Sequence, residues 1–160
     1  MANNIKIKIC GQNNPAIINH CLDLNISYQG LIFYQKSPRF IDMDTLALVN
    51  QYFKSHKDKF VGVFVNPSID EIKNKLEVFD FDTIQLHGNE DQNFISEVKN
   101  NFKNIKKLPY ILSGGLNVSN IKKAINLTGA DFVDINSGVE EQPGEKSLTL
   151  IDGIISSIYN

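Results

Sequence analysis

Two short turns carry the chemistry-bearing glycines of this chain: Ser113-Gly114-Gly115-Leu116 and Asn136-Ser137-Gly138-Val139-Glu140. Each follows a short apolar run. Backbone N–H groups in such turns can point at an anion, and glycine permits close approach. Gly114, Gly115, Ser137 and Gly138 are therefore candidates to hold a phosphate, with purely structural turns as the alternative. Cys10 ends the first apolar run and is followed at once by Gly11. A thiol has an unperturbed pKa of about 8.5, and nearby positive charge lowers it, so Cys10 can serve as a base. Its alternative is a small buried apolar residue, the reading given to Cys21 inside a helical stretch. Arg39 is the only arginine beside fifteen lysines, and Pro38 stiffens the loop that presents it. Its planar fork suits a carboxylate; a surface salt bridge is the plainer reading. His87, in Gln85-Leu86-His87-Gly88, can shuttle a proton or simply be satisfied by a neighbour.

These residues need elements to position them. Six apolar runs end at Cys10, Phe33, Val65, His87, Ser113 and Ile135, between 22 and 32 residues apart. They are rich in β-branched and aromatic residues, as strands are. The runs are Ile5–Cys10, Leu31–Tyr34, Val61–Val65, Thr83–His87, Tyr110–Ser113 and Phe132–Ile135. Between them lie helical patterns: Ile69, Ile72, Leu76 and Phe79 recur every three to four residues behind the start signal Asn66-Pro67-Ser68. Asn93–Phe102 and Ser119–Leu127 behave alike, and Gly129 stops the latter. One strand plus one helix per interval predicts an α/β fold of six consecutive βα units with a parallel sheet. A doubly wound sheet and a barrel both remain open; each places chemistry just after strand ends.

At 160 residues the chain fits one domain, residues 1–160. Hydrophobic residues make up 42% and charged residues 21%, enough to build a core. The net charge of −2 argues against a sequence-independent grip on nucleic acid. No run approaches the roughly 20 apolar residues that cross a bilayer, and the N-terminus is not a signal peptide. Two cysteines are too few for a disulfide scaffold, so a cytoplasmic setting is expected. His20, His56 and His87 show no metal-ligand spacing, and the glycine turns lack a dinucleotide fingerprint.

Taken together, Lys8-Ile9-Cys10-Gly11, Ser37-Pro38-Arg39, Val61–Asn66, Gln85–Gly88, Leu112–Leu116 and Val133-Asp134 with Ser137–Glu140 resemble the phosphoribosylanthranilate isomerase family of tryptophan biosynthesis. The six segments stand in the family's order and cover most of the chain. The resemblance implies a (β/α) barrel of TIM type. It implies an Amadori rearrangement of N-(5-phosphoribosyl)anthranilate, an aminoaldose, to an aminoketose, without cofactor. Cys10 matches the family's general base, Arg39 the residue that holds the anthranilate carboxylate, and the two glycine turns the phosphate loops. A phosphate at one end and a carboxylate at the other need anion sites flanking a proton-transfer centre.

The chain departs from the family in two places: its first helix lacks the family's usual acidic and Gly-Ala-Asp signals, and the larger departure lies further on. Between His87 and Ser113 there is room for one helix and one strand only, so the barrel is shortened to about six βα units. The family's fifth and sixth strands are largely absent, and with them the aspartate that acts as general acid. Asp134, on the last strand beside the phosphate turn, is the candidate substitute acid; a structural carboxylate is its alternative. A natural miniature, a deletion product and a non-catalytic relative all account for the shortening. Another phosphosugar isomerase, or a phosphate-binding remnant without turnover, are the competing functions. An open six-stranded remnant has two exposed edges, and a homodimer that covers them is expected.

Overall fold

The computed structural model describes residues 5–106 and 111–159. Six strands form one parallel sheet: β1 (Lys6–Cys10), β2 (Tyr28–Ile32), β3 (Phe60–Phe64), β4 (Thr83–Leu86), β5 (Leu112–Ser113) and β6 (Phe132–Ile135). Helices α1 (Pro15–Asp23), α2 (Met43–Phe53), α3 (Ile69–Val78), α4 (Gln92–Asn101), α5 (Ile121–Thr128) and α6 (Leu148–Tyr159) alternate with them. Local sequence explains the boundaries. Ser68 and Glu71 form a reciprocal capping box at the start of α3. Asp91 caps α4, and Gly129 ends α5 at φ 68°, a left-handed value that favours glycine. An antiparallel hairpin, β7 (Glu140–Gln142) with β8 (Glu145–Lys146), follows β6 and was not foreseen.

The strand order β4-β3-β2-β1-β6-β5 decides between the two closures. In a doubly wound sheet the chain reverses direction across the sheet at a switch point. Here the last strand of the sheet pairs with the first, Lys6 to Ile9 against Phe132 to Ile135, which is the cyclic neighbour relation of a barrel. The fold is a curled half-barrel with one seam. Among the described residues β4 and β5 are not paired. A single parallel bridge, Thr83 to Lys106, marks a further strand that starts at the seam and goes no further among those residues.

Side-chain alternation divides the molecule into an inner and an outer surface. Ile5, Ile7, Ile9, Val133 and Ile135 face α1, α5 and α6 in one apolar cluster. Leu31, Phe60, Phe64, Phe79 and Phe81 pack with α2, α3 and α4 in another. The inner face carries Cys10, Ile32, Val61 and Val63. Expected and observed strands agree except at β2, placed at Leu31–Tyr34 but found at Tyr28–Ile32. Its first half, Tyr28-Gln29-Gly30, lacks the apolar signature yet lies beside Lys8–Cys10, where both neighbours bury it. Tyr110, within the fifth expected run, lies outside the described residues.

Candidate active site

The inner face opens at the C-terminal ends of the strands into a cavity of about 270 Å³. Cys10, His87, Gly114, Gly115, Asp134 and Ser137, six of the eight residues singled out from sequence, line it. Gln85, Ser113 and Asn136 complete its polar wall, and Ile32, Val63 and Leu116 its apolar one. Arg39 and Gly138 are not on that wall. The fold thus brings thiol, carboxylate and both glycine turns together from β1, β5 and β6 and the loops that follow them.

Lys8 was not anticipated as part of the site. It precedes Cys10 by two positions on β1, so both project to the same face. In the parallel register Lys8 sits directly against Asp134 on β6. Its Nζ donates to Asp134 Oδ2 at 2.8 Å, and it lies on the same strand face as Cys10. Lys8 has no exposed surface. Burial works to lower its pKa, but Cys10 and Asp134 outweigh it and hold the ammonium charged. Gly30 makes the arrangement possible: a Cβ there would stand 2.8 Å from Cys10 Sγ and 3.2 Å from Lys8 Nζ. Asp134 Oδ1, the carboxylate's other oxygen, is buried without a partner, as is Oε1 of Gln85. A buried acceptor left unpaired is costly, and both residues line the cavity.

The Cys10 thiol differs from expectation. Positive charge beside it does act to lower its pKa, through Lys8 and then Lys146. Burial acts more strongly the other way, and the net direction is upward. Cys10 therefore rests as a thiol that ionises only with help from its neighbours. Cys21 is a core residue as read: fully buried, accepting from Gln12 Nε2 and pushed up to about 12 by burial.

Arg39 takes the plainer of its two readings, though not at the surface. Its Nε and one Nη donate to the two oxygens of Glu140 at 2.7 and 2.6 Å. Lys146 Nζ reaches the same carboxylate at 2.5 Å and holds Asn136 through Oδ1 and the carbonyl at 2.9 and 3.0 Å. Burial raises the pKa of Glu140, yet the hydrogen bonds from Arg39 and Lys146 win and hold it below the usual carboxylate range. For Lys146 burial wins, and its pKa is lowered despite the carboxylate. The β7–β8 hairpin exists to place this network, which ties the loop of Arg39 to the turn after β6. A guanidinium has two forked edges. Glu140 fills the Nε edge; the terminal edge is left for another acceptor.

The two glycine turns are built for close approach. Gly114 and Gly115 adopt φ values of 101° and 65°, and nothing lies within 4 Å of where their Cβ atoms would be. Asn120 Nδ2 holds the Gly115 carbonyl at 2.9 Å. The amides of Gly114, Gly115 and Ser137 donate to no partner among the described residues. Gly138 has a different duty. A Cβ there would overlap the carbonyl of Leu116, so glycine is what lets the second turn lie against the first. His87 sits exposed at the cavity rim on the end of β4. Among the described residues no group of three or more His, Cys, Asp or Glu is placed to hold a metal ion.

A parallel half-barrel whose C-terminal rim joins a thiol and a carboxylate to two glycine turns has the layout of a phosphate-binding barrel enzyme. Comparison with known sequences assigns it further. The profile of the N-(5'phosphoribosyl)anthranilate (PRA) isomerase family matches residues 7–110 and again residues 103–157. The chain belongs to that family. An N-(5'-phosphoribosyl)anthranilate isomerase of Rhizobium etli is 28% identical over 207 positions, covering 95% of this chain and 93% of that protein. Both sequences are spanned nearly end to end, so the shortfall of this 160-residue chain is internal. The overlap of the two profile matches at residues 103–110 locates it at the seam. Among solved structures, a monomeric form of the dimeric isomerase of Thermotoga maritima superimposes with a TM-score of 0.82 at 24% identity. It covers 96% of this chain and 98% of its own. An isomerase in complex with reduced 1-(o-carboxyphenylamino)-1-deoxyribulose 5-phosphate gives 0.84 at 23%, with the same coverage.

Proposed function

We propose that the chain rearranges N-(5-phosphoribosyl)anthranilate to 1-(o-carboxyphenylamino)-1-deoxyribulose 5-phosphate, a step of tryptophan biosynthesis. One observation carries the reading: a single cavity is lined by Cys10, Asp134 and the turns at Gly114-Gly115 and Ser137. Asp134 is the acid that protonates the ring oxygen and opens the furanose to a Schiff base. Cys10 is the base that removes the C2 proton, leaving an enolamine that tautomerises to the ketone. The glycine turns grip the phosphate, with Gly138 holding the second turn in place. His87 bounds the substrate at the rim. Arg39 receives the anthranilate carboxylate on its free terminal edge while Glu140 fixes the other.

The test is turnover. The purified chain should convert phosphoribosylanthranilate, and its gene should restore growth without tryptophan to a strain lacking the isomerase. Failure by a well-folded protein would sink the reading. A second reading, binding of a phosphate ester without turnover, draws on the ion pair that engages Asp134 with Lys8. In that case the product would bind and the substrate would persist.

We further infer a cytoplasmic setting, which suits two free cysteines. Among the described residues no helix is long and apolar enough to cross a membrane. A homodimer in which two copies cover each other's seams suits β4 and β5, which are not paired with each other among the described residues.

A further inference from the structure

An acid and a base that act once in each turnover must both be restored before the next. After the reaction described above, Asp134 has given its proton to the ring oxygen and is a carboxylate. Cys10 has taken the C2 proton and is a thiol. The pair is left in the inverse of its working state. In an open site water resets such groups. Here Lys8 is fully buried, Cys10 is 6% exposed and Asp134 9%, so bulk water reaches them poorly.

We propose that Lys8 closes this circuit, handing the Cys10 thiol proton to the Asp134 carboxylate between turnovers. The proposal rests on the isomerase reading and adds a positioning residue that acts through its two neighbours. The geometry brings the three groups together: the point a Cβ at Gly30 would occupy lies 2.8 Å from Cys10 Sγ and 3.2 Å from Lys8 Nζ, and Lys8 Nζ donates to Asp134 Oδ2 at 2.8 Å. The protons balance. Lys8 gives one proton to Oδ2 and takes the thiol proton in its place. Thiol, ammonium and carboxylate become thiolate, ammonium and carboxylic acid, with no change in the total charge of the three groups. Asp134 lines the cavity, and its Oδ1 is free of Lys8. An ammonium with three rotatable protons can make this exchange; a guanidinium holds its protons too tightly. The fixed register of β1 against β6 and the missing side chain of Gly30 keep the three groups in contact. The other charges facing Cys10 are Lys146 on β8 and Arg39 on the loop after β2, both committed to Glu140.

Two measurements test it. The first follows alkylation of Cys10 by iodoacetamide, read by mass spectrometry at that residue, against pH. Exchange among three groups of constant total charge forms a population of thiolate that does not depend on pH, beside the thiolate formed by proton loss to solvent, which falls tenfold per unit as pH drops. The wild-type rate should therefore level off to a plateau as pH falls from about 8 to 5. In Asp134→Asn, which removes the acceptor, it should fall tenfold per unit as pH drops. A wild-type rate that also falls tenfold per unit overturns the proposal. This readout needs no substrate, so it stands even if the chain proves not to be an isomerase. The second compares Lys8→Arg with wild type. Arginine keeps the charge and the ion pair, so a merely structural lysine would be rescued. The relay instead requires kcat to drop about 100-fold with KM within threefold. A Lys8→Arg enzyme with wild-type kcat overturns it, as does equal loss in kcat and KM with a lowered melting temperature.

Discussion

At the scale of single residues, the proposed mechanism places turnover on the Cys10 thiol. Cys10→Ala should lower kcat by about 10² or more, the usual contribution of a general base, while product still binds through the glycine turns. A loss below about tenfold removes Cys10 from that role. Glu140 supports a prediction of another kind. Its folded pKa is depressed, so its ionisation stabilises the fold fully above its unfolded value of about 4.3 and less as pH falls through the folded value. Glu140→Gln should cost about 2 kcal/mol near pH 7, since the carboxylate accepts charged hydrogen bonds from both Arg39 and Lys146. The gap between wild type and variant, measured by urea unfolding, should narrow from about pH 5 downward. A gap that widens in acid would show that the network does not stabilise the fold. These residues were unequally legible. Cys10 and the glycines stood out because they end apolar runs. Lys8 did not: in Ile5-Lys6-Ile7-Lys8-Ile9-Cys10 both lysines alternate with apolar residues, the pattern of a strand with one solvated face. Only the curl of the sheet turns that face inward, and no local pattern encodes a curl. Its one trace was the two-residue spacing to Cys10.

At the scale of elements, the site depends on two loops being held in contact. Gly138 lies against the Leu116 carbonyl, and the three-residue 3₁₀ turn at Ser137–Val139 leads straight into the hairpin that carries Glu140 and Lys146. Gly138→Ala should therefore push the two turns apart. The expected result is a rise in KM for the phosphorylated substrate of about tenfold or more, and a stability loss of about 1–3 kcal/mol from overpacking. Calorimetry with product and a thermal melt read the two effects separately, and unchanged product affinity would detach Gly138 from the phosphate site. Gly114→Ala makes a useful contrast, because open space surrounds it and only its φ of 101° opposes a side chain. The helices were foreseen where caps announced them, as at Ser68 and Gly129. The hairpin was not. Its strands span three and two residues, too short for alternation to register. The tie of Arg39 to Glu140 was not legible for the same reason: the partner lies 101 positions away on that hairpin.

At the scale of the molecule, the seam is the feature to explain. The sequence shows which units are lost, between His87 and Ser113, but not that the remaining strands keep barrel neighbours. That follows from the pairing of β6 with β1. The cost of the loss is an uncovered flank. Beside β4 the outer surface has a hollow of about 540 Å³ lined by Ile84, Leu86, Ile95, Val98, Phe102 and Ile105. In a full barrel the next βα unit would pack there. Two forces compete over what happens instead. Burying these side chains against a second copy is favourable at about 25 cal/mol per Å². Lys99, Lys103 and Lys106 rim the hollow, however, and edge lysines oppose pairing between chains. Lys106 is neutralised by Asp82 at 2.7 Å; Lys99 and Lys103 have no ion pair among the described residues. Their repulsion acts through solvent and is screened, whereas the apolar term is not. Light scattering should therefore show a dimer that tightens as salt rises from about 0.05 to 0.5 M, the Debye length falling several-fold over that range. Ile105→Asp should shift the protein to monomer at every salt concentration. A wild-type monomer that persists at high salt and high concentration would mean that the flank is stable uncovered, and the dimer would have to be abandoned.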